Sequence, residues 1–397
     1  MVIREFIVCS TCENSYTLRI GVGFDPIQRH FFDCIHCYQT IGIELNASQP
    51  PNAYVRTFEN CSIKHETNDG IVMNLHPNCA FPVNHIHDPL YFASMTNMRL
   101  ISKVMKLRPG KFQDVATQFD LPNAGELWKT IKTIINMEDK NVPGKIYNRQ
   151  LQAYNSTRKK HGVHYNIQNS ADALHDFLDS LFYPKINNIS QPIISLIDSL
   201  FNQDKLNDFI KFYDSEILEQ NKIRYLSILS DYFKYRDILG QIVTHARIDN
   251  DDVDNLIVAS KNFDDVKLYY GQAYETLTSH FTILACLNNL LSGRRYDEFK
   301  AMTLNKYIND LEKAKKHNPF KDEGIFEPFT ECLDSSLRNG SHHASIWRDG
   351  EVIKYRSGGT GAEKDISYSR YLHYCNKITI SIAALLLIEL KIKSLKK

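Results

Sequence analysis

Two pairs of cysteines near the start of the chain restrict its folding more than any other feature. Cys9-Ser10-Thr11-Cys12 and Cys34-Ile35-His36-Cys37 are separated by 21 residues. Each pair places two soft sulfur ligands on one tight turn, and two such turns supply the four corners of a tetrahedral site with bonds of about 2.3 Å to Zn²⁺. Gly21, Gly23 and the Asp25-Pro26 step between the pairs supply the turns of a returning hairpin. The other five cysteines (Cys61, Cys79, Cys286, Cys332 and Cys375) are scattered, and an odd total of nine suits a reduced chain rather than a disulfide framework.

The segment 1–45 resembles a zinc ribbon. With Cys9, Cys12, Cys34 and Cys37 all serving as ligands the site is closed, so the expected metal is structural Zn²⁺. His36 is a possible substitute ligand, but Cys37 completes the turn more naturally. A second group, His76, Cys79, His85 and His87, matches no strong metal spacing and is interrupted by prolines, so it reads as a loop of polar anchors.

Charge narrows the function classes. Lys and Arg total 47 against 46 Asp and Glu, so contact with a nucleic acid must come from a local patch rather than an overall basic coat. The longest charge-free apolar run, Ile378–Ile388, is well short of the roughly 20 residues of a membrane-spanning helix. The first residues show no secretory signal. The expectation is a soluble, cytoplasmic protein without membrane contact.

The expected fold class is mainly α with a small β part. Four segments follow from the patterning: a zinc-ribbon-like β domain over 1–45, a β or irregular extension over 46–97, a helical middle region over 98–250, and a helical bundle over 251–397. Within the middle region, helices are expected from about Asn123 through Ile135 and from Ala171 to Phe182. In the last segment, apolar residues recur at spacings of three and four from Phe263 through Leu291, predicting a long helix with a buried stripe. It starts near Asp252 and is stopped by Gly293. A second helix is expected over 296–316, a third from Gly324 through Leu337, and a last from Ser369 onward. A hairpin or loop lies between Trp347 and Tyr368. Four helices joined by mostly short loops make a bundle.

At the end of the third of these helices stands Leu337-Arg338-Asn339-Gly340-Ser341-His342-His343. Arg338 and His343 are separated by four residues, and a polar residue follows the arginine. Arg158 with His164 and Arg29 with His36 have comparable spacing but a different setting: a polar segment for the first, the cysteine turn for the second. Arg338 instead lies in the penultimate element of the bundle, ahead of a loop and one last long helix. Over residues 252–397 this arrangement is similar to the HEPN family, whose ribonuclease members carry Arg-polar-x3-His in this place.

The resemblance implies a metal-independent endoribonuclease acting as a homodimer, with its pocket where two protomers meet, in a toxin or antiviral defence role. Arg338 would hold the phosphate, His343 would transfer the proton, and Asn339 would position one or the other. Arginine offers bidentate contacts to phosphate, and histidine titrates near neutrality. Gly340-Ser341 departs from the family's small apolar helix formers and predicts a break between the two motif residues. In an unbroken helix His342 shares the face of Arg338 and His343 lies about 140° away, so His342 competes for the catalytic role. The alternative reading is a non-catalytic RNA-binding or scaffolding protein that uses the ribbon and bundle for partner recognition. Arg294-Arg295 and Lys313, Lys315 and Lys316 read as solvated faces. Gly358-Gly359-Thr360-Gly361 lacks the strand and helix of a nucleotide-binding loop.

Overall fold

A computed structural model of the chain describes residues 1–396 except 24, 50, 51, 66–69, 106–120, 122, 161, 162, 164, 260 and 261. His164 and the Asn68-Asp69 turn therefore lie outside the described residues. The protein is mixed α/β, with strands at the N-terminus and a mostly helical remainder.

Two small sheets build the N-terminal region. Strands β1 (Val2–Cys9) and β2 (Ser15–Gly21) form a hairpin from Val2↔Gly21 to Val8↔Ser15. Strands β3 (Ile27–Asp33), β4 (Thr40–Gln49) and β5 (Asn52–Glu59) form a second, antiparallel sheet. Short strands β6 (Cys61–Ile63) and β7 (Ile71–Leu75) flank the first hairpin, with β7 parallel to β2. The strands thus run well past residue 45. β2 is covered on both faces, so its polar Thr17 and Arg19 are buried too. Arg19 donates to Asn74 Oδ1 (2.7 Å) and to the carbonyls of Asp88 (3.2 Å) and Tyr91 (3.1 Å), which satisfies a desolvated cation. Ile7, Leu18, Ile20, Ile41, Ile43 and Leu45 close a compact core between the sheets. The region is joined to the rest by β8 (Phe81–Pro82) pairing with β9 (Leu256–Ile257), and by the Phe31 N–H to the Ala259 carbonyl (3.2 Å).

Helix α1 (Ala93–Met105) precedes the helical part. There follow α2 (Ala124–Asp139), α3 (Gly144–Lys160), α4 (Ser170–Phe182), α5 (Lys185–Asn202) and α6 (Leu218–Lys234). The expected starts hold: the Asn123 carbonyl accepts the Leu127 N–H, and the Asn169 side chain caps α4 through the Asp172 N–H. One hydrophobic core runs from Leu121 to Ile392. Its centre is made by α7 (Tyr269–Leu291) and the last long helix, residues 368–394, which pack on each other and on α5 and α6. So the long helices at the centre come from both sides of residue 250.

The expected four-helix arrangement within 252–397 is not what the described residues form. The first helix begins at Tyr269, not Asp252; before it lie β9 and a single turn over Phe263–Val266. It is buried almost all round rather than along a stripe, as a central helix must be. Residues 296–316 hold only α8 (Leu304–Asn309), capped by Thr303 Oγ1, and a 3-10 turn at Lys313–Lys315; Asn309-Asp310 are poor helix formers. Residues 324–329 form a 3-10 helix containing Pro328, whose missing N–H is incompatible with an α interior. Asp334 then caps a separate short helix, α9 (Ser335–His342), accepting the N–H groups of Ser336 (2.7 Å) and Leu337 (2.9 Å). The Trp347–Tyr368 segment is a three-stranded antiparallel sheet of β10 (Ile346–Asp349), β11 (Val352–Arg356) and β12 (Glu363–Ser367). Helix α10 (Tyr368–Ser394), capped by Ser367 Oγ, ends the fold.

Candidate functional site

The hairpin geometry brings the four N-terminal thiols together. The two turns are near copies of each other. The Glu13 N–H returns to the Cys9 carbonyl and the Tyr38 N–H to the Cys34 carbonyl, both at 2.9 Å. Glu13 (φ 60°) and Tyr38 (φ 59°) both take the left-handed conformation, which costs a side-chain-bearing residue roughly 1–2 kcal/mol. The sulfurs of Cys9, Cys12, Cys34 and Cys37 all lie within 4.8 Å of one another. Cys9–Cys37 and Cys12–Cys34 are 3.7 and 3.5 Å apart. A tetrahedron with bonds of about 2.3 Å has edges of about 3.8 Å, so the set fits a four-thiolate zinc ion.

Neighbouring donors orient the sulfurs, as outer-shell groups do around bound metals. Asn14 Nδ2 donates to Cys12 Sγ (3.2 Å) and draws that thiol down to about 6, favouring the thiolate. The Tyr16 hydroxyl donates to Cys34 Sγ and accepts the Ile35 N–H, both at 3.0 Å. Among the described residues this is the one group of three or more His, Cys, Asp or Glu with metal-holding geometry. His76, Cys79, His85 and His87 are anchors instead: His85 pairs with Asp88 (3.0 Å), His87 Nδ1 contacts the Val72 carbonyl (2.7 Å), and His76 is half-buried, its Nδ1 accepting the Asn78 N–H (3.1 Å) and desolvation pushing its imidazole down to about 4.

The second candidate sits on α9. The helix does not break at Gly340-Ser341: it continues through His342, and His343 is its C-cap. Gly340 lets α9 pack closely on β11: a Cβ there would lie 3.2 Å from Tyr355 Cβ. Arg338 and His342 are therefore one turn apart on one face. Nε of Arg338 donates to Glu275 Oε1 (2.6 Å), Nη2 donates to the same oxygen, and Nη1 donates to Asn339 Oδ1 (2.7 Å). Three of its five N–H groups are thus used, which leaves two in a fixed orientation. His342 and His343 are exposed. Gly271 on α7 allows the approach of His342, whose Nε2 would sit 3.2 Å from a Cβ at that position.

Three consecutive turns of α7 meet this surface. Gly271 faces His342, Glu275 holds Arg338, and Ser279 Oγ accepts from Lys313 Nζ. Glu275 is a site residue that motif reading missed, although one signal existed: it is the only charged residue among the 23 of α7. Lys313 and Lys316 correct the expectation of solvated faces. Lys316 is only 3% exposed and Lys313 turns inward, whereas Lys315 is exposed. Arg294 donates to Asn289 Oδ1 and Arg295 pairs with Asp297 at the surface.

The motif's sequence counterparts are spent elsewhere. Arg158 is buried in a two-pronged pair with Asp176 (2.6 and 3.2 Å), and Arg29 pairs with Glu44 on the exposed sheet face. The thiol cluster and α9 are linked through Asp33, next to Cys34, and Arg348 on β10; their two contacts measure 3.0 and 3.2 Å.

Comparison with family models, with curated proteins and with solved structures finds no match to this chain. Among the described residues no helix is long and apolar enough to cross a membrane.

Proposed function

We propose that the chain is a metal-independent endoribonuclease of HEPN type that carries a structural zinc ion on Cys9, Cys12, Cys34 and Cys37. It works as a homodimer, as a toxin or antiviral effector. The observation that carries this reading is the arginine–histidine pair of α9: Arg338, held by Glu275 and Asn339 with two N–H groups left over, lies one helical turn from an exposed His342. Arg338 holds the scissile phosphate. A histidine accepts the 2′-hydroxyl proton as O2′ attacks phosphorus, and the P–O5′ bond breaks with a proton delivered to O5′. The unbroken helix favours His342 for this proton transfer; His343, favoured by the family spacing, is the comparison arm. The Glu275 ion pair also supports the alternative, a non-catalytic RNA-binding or scaffolding protein in which Arg338 only clasps α9 to α7.

Purified full chain incubated with single-stranded RNA and a brief chelator pulse separates the two. The expected products carry 2′,3′-cyclic phosphate and 5′-hydroxyl ends. His342→Ala is expected to slow cleavage by roughly 10²–10⁴-fold with RNA binding retained, and Arg338→Ala to weaken both. A Mg²⁺ requirement, 5′-phosphate ends, or full activity of Arg338→Ala would defeat the proposal. Loss of activity in His343→Ala alone would move the proton transfer to that residue.

A further inference from the structure

At Ser279, one turn of α7 beyond Glu275, opens a cleft of about 510 Å³, walled by residues 212–224, α7 and the segment from α8 to Lys316. Arg224, Lys313 and Lys316 line it. Several covered cations elsewhere have a carboxylate within 4 Å: Arg158 has Asp176, Lys185 has Asp249, Arg348 has Asp33, and Arg370 has Asp254, whereas Arg19 is satisfied by an amide and two carbonyls. Among the described residues the exposed Arg224, the half-buried Lys313 and the buried Lys316 have none. Arg224 makes no hydrogen bond there either. Lys313 spends one N–H on Ser279 Oγ, and Lys316 spends two on the carbonyls of Tyr307 and Ile308. Glu216 is the one acid of the wall, and it is exposed. Three cations without a counter-ion, facing one concavity and keeping unspent N–H groups, form a receptor for an anion.

We propose that this cleft binds a phosphate group of an RNA strand through Arg224, Lys313 and Lys316, next to the phosphate held at Arg338. The choice of RNA rests on the ribonuclease reading; the phosphate chemistry does not. Spacing supports a strand. Ser279, which positions Lys313, is one turn of α7 beyond Glu275, which positions Arg338, so the anchors of the two cations are staged about 6 Å apart along the helix axis, on the scale of successive phosphates. Charge supports it independently: burial pushes the Lys313 ammonium below its usual range, with Arg224 and Arg338 adding to the effect against Glu275. Burial and then Lys313 push Lys316 down to about 8. An anion in the cleft relieves both.

The test uses the full zinc-loaded chain and a labelled 2′-O-methyl single-stranded oligonucleotide, which cannot be cut by its own 2′-oxygen. Binding is followed by fluorescence anisotropy over a salt series. Arg224→Gln combined with Lys313→Gln is expected to raise Kd at least tenfold. It should also flatten the slope of log K against log salt by about 1.4, from about 0.7 per lost contact on a single strand. Lys313→Arg should retain most of the affinity, and matched thermal midpoints exclude misfolding. Wild-type affinity and slope in the double variant would overturn the proposal, as would a nucleoside monophosphate binding as tightly as the oligonucleotide. A double variant with unchanged binding beside cleavage that depends on Arg338 removes the cleft and leaves the nuclease. A flattened slope in the double variant, beside a wild-type protein that never cuts RNA, does the reverse.

Discussion

The N-terminal sheets and the helical core solve the same folding problem by different means. The first region closes a small core between two short sheets and gathers four thiols at its edge. The second buries two long helices almost completely and has to accommodate the polar groups they carry. Each of those helices has one acid. Glu275 on α7 reaches the surface and holds Arg338. Glu389 on α10 stays inside and accepts from Tyr213 (3.0 Å), Asn221 (2.9 Å) and Tyr225, with His280 Nδ1 at 3.2 Å. The contrast teaches where each region is vulnerable: one at its ligands, the other at its internal acceptors.

Metal removal is the strongest way to separate them. Cys9→Ser or Cys34→Ser, or prolonged chelation, is expected to unfold the strands of 1–75 while the helical transition survives, since structural zinc supplies about 10–16 kcal/mol in small zinc domains. Hydrogen exchange resolved by segment reads this directly. Simultaneous loss of both regions, or freshly purified protein free of zinc, would break the comparison.

Next come the internal acceptors. Glu389→Ala leaves two tyrosine hydroxyls, an amide and an imidazole without their acceptor. Asp176→Ala leaves the guanidinium of Arg158 buried and unpaired. Each is expected to cost about 3–5 kcal/mol in denaturant unfolding of the helical transition, with the zinc content unchanged. A cost below about 1 kcal/mol would mean that water replaces the lost acceptor.

The Asp33–Arg348 pair tests how independent the regions are. Both side chains are mostly covered, and a double-mutant cycle with Asp33→Ala and Arg348→Ala is expected to give a coupling of about 1–2 kcal/mol. Zero coupling would leave the β8–β9 pairing and the Phe31–Ala259 hydrogen bond to link the two regions. A last test concerns acid. His30 is wholly buried with neither ring nitrogen bonded, and burial pushes its imidazole down to about 3. The unfolded value is about 6.5. A depressed folded value means that its contribution is fully present above about pH 6.5. It is lost as pH falls toward 3, at up to about 1.4 kcal/mol per pH unit. His30→Leu should flatten that limb for β3 and β4 alone; an unchanged pH profile of exchange in those strands would show that His30 does not titrate as described.

What could be read from the sequence depended on how local the determinant was. The thiol turns were legible because each pair is only four residues long and its ligands are chemically distinctive. Helices α2, α4, α7 and α10 were legible from apolar spacing, although the start of α7 was misplaced because the same spacing continues through 263–268 across a single turn and a break. The apolar spacing in 296–316 and 324–337 looked equally helical, yet Asn309-Asp310 and Pro328 outweighed it locally. The surroundings of Arg338 were not legible at all. Its anchor Glu275 is 63 residues away, and the inward turn of Lys313 depends on Ser279 of a helix that precedes it. No periodicity records such pairings.

The bond between Asp33 and Arg348 also has a consequence for biosynthesis. Its partners are 315 residues apart in the chain, so at 5–20 residues per second the ribosome delivers the arginine roughly 15–60 s after the aspartate. During that interval the cysteine turns can already take up metal, while the strand edge that later meets Ala259 and the face that meets Arg348 are still bare. A nascent chain of this kind passes through a stage in which its first region is assembled and its docking surface is open, and that stage is when holdase chaperones would find most to bind.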